Sequence, residues 1–287
     1  MNSHSTSPFR EVPVSITLYT GQNCNRCTIL KDYLTSKCLA FTAYDFQGDG
    51  DVFSVFYRKH RAKLHRDSEN RLEIPIYDNG KVVRQGIGEV LAYLLAGEEL
   101  DGCVGTSWIM HGWIANINVS ACPAGQEERF LALLRLLTAG GLKVILDADG
   151  RRPDLLEKVL GEGLAARLLL NIPGPARLYP AIAGGPITPG DLKKSVALAR
   201  AFADSVIRIP VAARADATGM AARITPAEAG EAAEMLLAAA GDAMLPACVE
   251  AGPAGALPPL TDEDMLAYRL AVRKFLPKAE IRKPETH

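Results

Sequence analysis

Ile16-Thr17-Leu18-Tyr19-Thr20-Gly21-Gln22-Asn23-Cys24-Asn25-Arg26-Cys27-Thr28-Ile29-Leu30 changes grammar in the middle: an apolar run of β-forming residues gives way to a turn, then to a helical pattern. Residues 14–19 read as a strand and 20–23 as a turn. Residues 27–36 read as a helix with Ile29, Leu30, Tyr33 and Leu34 on one side. Two cysteines, two residues apart, stand at the join. A helix N-terminus presents unpaired N–H groups and a partial positive charge. Both favour thiolate over thiol at the first cysteine, and the thiolate is the nucleophile of disulfide exchange. Cys24 is therefore the expected attacker and Cys27 the resolving thiol.

Outward from this turn, the first segment reads β-α-β-α-β-β-α. Residues 39–46 are an expected strand, 52–64 a helix that becomes strongly basic, and 73–77 a strand. Asp78-Asn79-Gly80-Lys81 is a hairpin turn, 82–84 the returning strand and 88–95 a closing helix. The basic run Arg58-Lys59-His60-Arg61-Ala62-Lys63-Leu64-His65-Arg66 reads either as a solvated face or as a surface for an anionic partner.

Two other readings of the CxxC stand beside the redox one: half of a zinc site, or two structural thiols. Zinc takes about four ligands, and His4, His60, His65, His111 and His287 show no ligand spacing. The remaining cysteines, Cys38, Cys103, Cys122 and Cys248, are widely separated. By default they are small buried hydrophobes rather than a secreted disulfide framework.

The residues Ile16 to Thr20, the Cys24/Cys27 pair, Ile74-Pro75-Ile76 and the hairpin turn together resemble a glutaredoxin, over roughly residues 13 to 97. The resemblance implies a thioredoxin fold and a cis proline at Pro75 facing the CxxC. It also implies a Gly-rich turn at Gly86-Ile87-Gly88-Glu89 that holds glutathione. Gln22, Arg26, Ile74, Pro75, Gly86, Gly88 and Glu89 are then the thiol-substrate face. Glutathione is the implied thiol co-substrate, with no resident cofactor and no metal. The family's Pro and Tyr between the cysteines are here Asn25 and Arg26, and its lysine ahead of the first cysteine is replaced around Gly21-Gln22. Arg26 remains able to lower a neighbouring thiol pKa by its charge.

Near residue 100 the composition shifts from Tyr- and Phe-rich to Ala, Leu, Gly and Pro, across an acidic Gly-rich joint at 97–107. Strand and helix then alternate: 113–119 and 126–139, 142–146 and 153–160, 167–172 and 189–202, 205–210 and 226–240, 243–249 and 261–275. Prolines stand at or near several helix starts, where a missing N–H is harmless. The expectation is a parallel sheet with helical cover, as a partial (βα) barrel of about five units or an open doubly wound sheet.

Gly141 to Gly150, Leu168 to Pro175, Tyr179 with Gly184-Gly185, Asp191 to Leu198, and Val206 to Val211 resemble the radical S-adenosylmethionine activases of glycyl-radical enzymes. Their CxxxCxxC cluster motif is absent. Ser120-Ala121-Cys122-Pro123 stands where a Gly-Gly-Glu motif belongs, and Asn171 and Pro173 stand at their acidic and lysine positions. Three thiolates on one loop are what anchor an open-iron cluster. The resemblance thus implies a degenerate partial TIM barrel, not an active radical enzyme, that binds a partner or ligand.

With 32 basic and 33 acidic residues among 287, the formal charge is -1, which gives no general electrostatic reason to bind nucleic acid or anionic membrane. No apolar run reaches the roughly 20 residues of a membrane helix. The polar, Ser-rich start lacks the apolar core of a secretory signal, so a cytoplasmic protein is expected. The expected organisation is a disordered tail at 1–12, a glutaredoxin-like α/β domain at 13–100, a linker at 101–111, the degenerate barrel at 112–276, and a tail at 277–287. The expected function is a glutaredoxin-type thiol–disulfide oxidoreductase acting on a protein disulfide partner. Two alternatives stay open: a non-enzymatic adaptor tied to a glycyl-radical or iron–sulfur system, and a metal or cluster carrier through the CxxC.

Overall fold

The computed structural model describes residues 15–66, 70–106, 111–215, 220–252 and 257–282. The tail expected at 1–12, with His4, and the last residues, with His287, lie outside them. The chain divides into two compact units, residues 1–91 and 92–287. Among the described residues no helix is long and apolar enough to cross a membrane.

The first unit contains β1 (Ile16–Thr20), α1 (Asn25–Ser36), β2 (Phe41–Asp45), α2 (Gly50–His60), β3 (Ile76–Asp78), β4 (Val83–Gln85) and the start of α3 (Ile87–Ala96). The strands form one mixed sheet in the order β2-β1-β3-β4, with β1 parallel to β2 and antiparallel to β3. A central strand is covered on both faces, and Leu18 and Tyr19 are accordingly buried. α1 turns Cys27, Leu30 and Leu34 inward, the stripe that helical periodicity demands. α2 packs an aromatic side against the sheet. Tyr19 and Phe56 stack with ring centroids 4.1 Å apart, and Phe53 lies edge-on at 5.7 Å from Tyr19. Such pairs add about 0.5–1.5 kcal/mol each beyond their buried area.

The hairpin forms as the sequence dictates. Asp78 and Asn79 accept backbone N–H groups of Gly80, Lys81 and Val82, and Gly80 takes φ +81°. The strand expected at 73–77 begins only at Ile76. Pro75 has no N–H to give a ladder, and Glu73 is drawn into a buried ion pair. The helix expected at 52–64 ends at His60 and continues as a 3-10 turn, Arg61–Lys63. Arg58, Lys59 and His60 fill its last turn, where positive charge complements exposed carbonyls.

The second unit contains β5 (Trp113–Asn118), α4 (Glu127–Ala139), β6 (Lys143–Ala148), α5 (Pro153–Gly161), β7 (Arg167–Asn171), α6 (Tyr179–Ile182), α7 (Pro189–Ala201) and β8 (Ser205–Val211). It continues through β9 (Ala213–Ala215), β10 (Ala221–Arg223), α8 (Pro226–Ala240), β11 (Cys248–Ala251), α9 (Asp262–Arg273) and β12 (Glu280–Arg282). Six strands form a parallel sheet in the order β12-β11-β8-β7-β6-β5. The strands follow one another in chain order, without the reversal that defines a doubly wound sheet. β5 and β12 are the two edges, so among the described residues the sheet is open and forms no closed barrel. Helices start on clear signals: Thr188, Thr225 and Thr261 cap α7, α8 and α9, and the latter two are complete capping boxes.

Three expectations need correcting. The fifth strand, expected at 243–249, runs over Cys248–Ala251 because Asp242 closes a turn onto Met244 and Leu245 and Pro246 then lacks a ladder donor. The sheet has six strands rather than five: Glu280–Arg282, expected in a tail, pairs with β11. Part of the expected linker is structured, since Gly97–Cys103 is a 3-10 helix burying Leu100 and Cys103, and Val104 bridges to Ile117.

Candidate functional site

Cys24 and Cys27 are joined in a disulfide with Cα atoms 5.2 Å apart. The turn that delivers them is fixed by small and adaptable residues. Asn23 takes a left-handed φ of 53°, a region that Asn tolerates better than most residues. A Cβ on Gly21 would stand 2.8 Å from Ile74 Cδ1, so this turn lies directly against the residue that precedes Pro75. The Ile74–Pro75 peptide is cis, as the sequence resemblance implies, and Pro75 is buried.

Cys24 is the N-cap of α1, which starts at Asn25, two residues ahead of the helix start read from the sequence. Its Sγ accepts the Cys27 backbone N–H at 3.1 Å. The two residues differ in exposure: Cys24 is half-buried, whereas Cys27 is 2% exposed. A sulfur at the N-cap takes the place of the usual capping oxygen. Once reduced, it faces the N–H groups and dipole of the helix end, which favour its anion.

Behind the disulfide lies a residue that the sequence reading passed over. Arg26 Nη1 pairs with Glu73 Oε1 at 3.0 Å, and the Glu73 side chain is only 3% exposed. The Arg26 charge is thereby shared with a carboxylate, so it does not act on the thiols alone. Glu73 in turn presses on Gly86, where a Cβ would stand 2.6 Å from its carboxyl carbon. Gly86 has φ +83°, donates its N–H to the Pro75 carbonyl at 2.9 Å and accepts the Val90 N–H at the start of α3. Gly88 is buried, Glu89 lies half-buried in the first turn of α3, and Gln22 is exposed on the turn before Cys24. Gln85, 2% exposed, bonds the His65 and Glu73 carbonyls through Nε2. The signal that could have found Glu73 is an acid inside an otherwise apolar stretch, Leu72 to Tyr77.

This packing makes Gly86→Ala a sharp probe. A left-handed φ costs a non-glycine residue about 1–2 kcal/mol, and the new methyl also collides with an ion-paired carboxylate that has little room to retreat. The expected loss is about 2–4 kcal/mol of local stability. Gly80→Ala carries only the conformational part, because nothing lies within 4 Å of its Cβ position. Hydrogen exchange at the β3 and β4 amides measures both. Equal protection losses in the two variants would contradict the account.

In the second unit, the strand register places Asp147, Asn171, Arg208 and Glu250 on one face of β6, β7, β8 and β11. Arg208 donates to Asn171 Oδ1 at 2.7 Å, Asp147 Oδ1 at 3.1 Å and Glu250 Oε1 at 3.2 Å, while Asn171 Nδ2 donates to Asp147 at 2.8 Å. Burial raises the Asp147 pKa, against the opposing pull of Arg208 and the Asn171 bond. At the β6 end, Arg151 clasps Asp149 through Nε and Nη2, and the Tyr179 hydroxyl and Ser195 hydroxyl donate to the Asp149 and Gly150 carbonyls. A cavity of about 710 Å³ opens there, lined among others by Asn118, Cys122, Arg151, Arg152, Asn171 and Pro173. The ends of parallel strands are where α/β sheets commonly hold ligands. Among the described residues no cluster of three or more His, Cys, Asp or Glu is arranged to hold a metal ion.

The chain is therefore an α/β protein with a CxxC disulfide after the first strand of a small mixed sheet, and a second, parallel six-stranded sheet. No protein-family model matches it, and no curated protein matches it.

Proposed function

We propose that the protein is a glutaredoxin-type thiol–disulfide oxidoreductase, with Cys24 as nucleophile and Cys27 as resolving thiol. The observation that carries this reading is the asymmetry of the pair: Cys24 caps α1 from a half-exposed position, and Cys27 is buried behind it. In the reduced protein, the Cys24 thiolate attacks one sulfur of a target disulfide, forming a mixed disulfide and releasing one target thiolate that takes up a proton. The Cys27 thiolate then attacks Cys24 Sγ, the mixed disulfide breaks, and the second target thiol leaves. Two electrons pass from the dithiol to the target, and two molecules of glutathione return the Cys24–Cys27 disulfide to the dithiol.

Gln22, Arg26, Ile74, Pro75, Gly86, Gly88 and Glu89 form the thiol-substrate face in this reading. Support comes from the contacts that tie Gly21 to Ile74, Arg26 to Glu73, and Glu73 to Gly86. The second unit is proposed as a degenerate partial barrel that binds a partner or ligand. Its support is a parallel sheet whose strands run in chain order, the arrangement of a barrel wall left open.

The test is alkylation of the reduced protein as a function of pH, beside turnover of a low-molecular-weight mixed disulfide with glutathione. Cys24 is expected to react at a pH well below the ordinary thiol value of about 8.5, and Cys27 only above it. Equal titration of both thiols near that value, with no turnover, would sink the assignment.

A further inference from the structure

The second unit brings together two cysteines that are far apart in the sequence. Cys103 closes the 3-10 helix Gly97–Cys103, and Cys122 follows the short turn Val119–Ala121 at the end of β5. They are 1% and 2% exposed, the two 3-10 segments that carry them pack together, and each thiol is the largest influence on the other's pKa. Cys122 Sγ also lies 3.6 Å from the Pro123 carbonyl oxygen. Arg152 stands beside them. Its guanidinium donates to the Cys122 carbonyl and pairs with Glu127 Oε1 at 2.6 Å. Cys122 is also part of the wall of the strand-end cavity.

A buried structural cysteine is usually an isolated small hydrophobe. Cys248 fits that description: burial pushes its thiol up to about 11. Cys122 is treated differently. The neighbouring Cys103 thiol and the Arg152 charge pull its pKa down against burial, while the Cys122 sulfur and burial push Cys103 up. One thiol is disposed to ionise, and the other keeps its proton.

We propose that Cys103 and Cys122 form a second thiol–disulfide site, oxidised by small peroxides, in which Cys122 attacks and Cys103 resolves. The Cys122 thiolate attacks one peroxide oxygen. An S–O bond forms, the O–O bond breaks, and the departing hydroxide takes a proton to become water, leaving a sulfenic acid. Cys103 then attacks Cys122 Sγ. The S–S bond forms, and the sulfenic hydroxyl leaves with the Cys103 proton as a second water. Two thiols and one hydrogen peroxide give one disulfide and two waters. The cavity wall at Cys122 is the entry for a small oxidant.

The full chain carrying Cys24→Ser and Cys27→Ser isolates this site from the CxxC. Titration with hydrogen peroxide, followed by denaturing alkylation and peptide mapping, is expected to yield a Cys103–Cys122 cross-link that dithiothreitol reverses. It should form at least about tenfold faster than oxidation of Cys248, whose thiol stays protonated. In the same background, Cys103→Ser leaves Cys122 without a resolving partner, so a sulfenic acid captured by a 1,3-dione reagent should accumulate at Cys122. Should Cys103→Ser fail to fold, the cross-link in the Cys24→Ser, Cys27→Ser background carries the test. Thiols at 103 and 122 that remain alkylatable after peroxide, or that oxidise no faster than Cys248, would overturn the proposal.

Discussion

Cys24→Ser is expected to abolish disulfide turnover, by on the order of 10³-fold or more, while leaving the fold intact. A serine hydroxyl is not appreciably ionised near neutral pH, so the attacking anion is lost. Serine is, however, among the preferred N-cap residues. It can accept the Cys27 N–H that the Cys24 sulfur accepts at 3.1 Å, so α1 keeps its start. Loss of activity with a thermal stability equal to that of the reduced protein is the signature of a missing nucleophile. Cys27→Ser is expected to behave differently. The first exchange still occurs, but no second thiol releases the product, so a protein target stays linked to Cys24. Turnover of a small glutathione mixed disulfide should survive, because free glutathione can attack Cys24 Sγ in place of Cys27. Mass spectrometry of the trapped complex and steady-state rates for the two variants decide the matter. Equal loss in both variants, with no trapped species, would mean that the pair acts structurally.

Much of this site is legible in the sequence, and the parts that are not share one cause. The turn, Cys24 at a helix start and the Asn79-Gly80 hairpin are local: each follows from residues within a few positions of one another. Glu73 is not local, since its meaning comes from Arg26, a strand and a helix away in sequence. The nearness of Cys103 to Cys122 also cannot be read from spacing, because it follows from the packing of two 3-10 segments that flank β5 in the chain. Strand alternation in the second unit is strong because its inner strands are apolar runs such as Leu168-Leu169-Leu170. β12 was hidden for the opposite reason: Glu280-Ile281-Arg282 carries two charges in three residues and becomes a strand only because β11 offers an unpaired edge. Arg208 and Asn171 drew notice as positions in a strand pattern. That they meet Asp147 and Glu250 requires the register of four adjacent strands.

That four-strand network sets up a large expected stability effect in the second unit. Arg208→Met is expected to destabilise the second unit by about 2–4 kcal/mol at neutral pH, somewhat below the cost of breaking a fully buried pair. The side chains of Arg208, Asp147 and Glu250 are 19%, 20% and 15% exposed, so water relieves part of the penalty. Methionine fills a similar volume, so packing is largely kept and the loss reports the two carboxylates left without their cation. The pH dependence follows from Asp147, whose pKa is raised above its ordinary 3.8 by burial. A carboxyl that binds its proton more tightly in the folded state favours folding below its unfolded value, and that contribution falls away as pH rises through the folded value. Removing Arg208 deletes the main influence holding this pKa down and moves the folded value higher. The penalty of Arg208→Met should therefore be small near pH 4 and grow towards pH 8. Adding Asp147→Asn removes one stranded charge and should recover about 1–2 kcal/mol, a coupling visible in a double-mutant cycle. Urea unfolding followed by the fluorescence of the two tryptophans, both in the second unit, at several pH values supplies the numbers. A penalty below about 1 kcal/mol that does not change with pH would place Arg208 among surface pairs of little consequence.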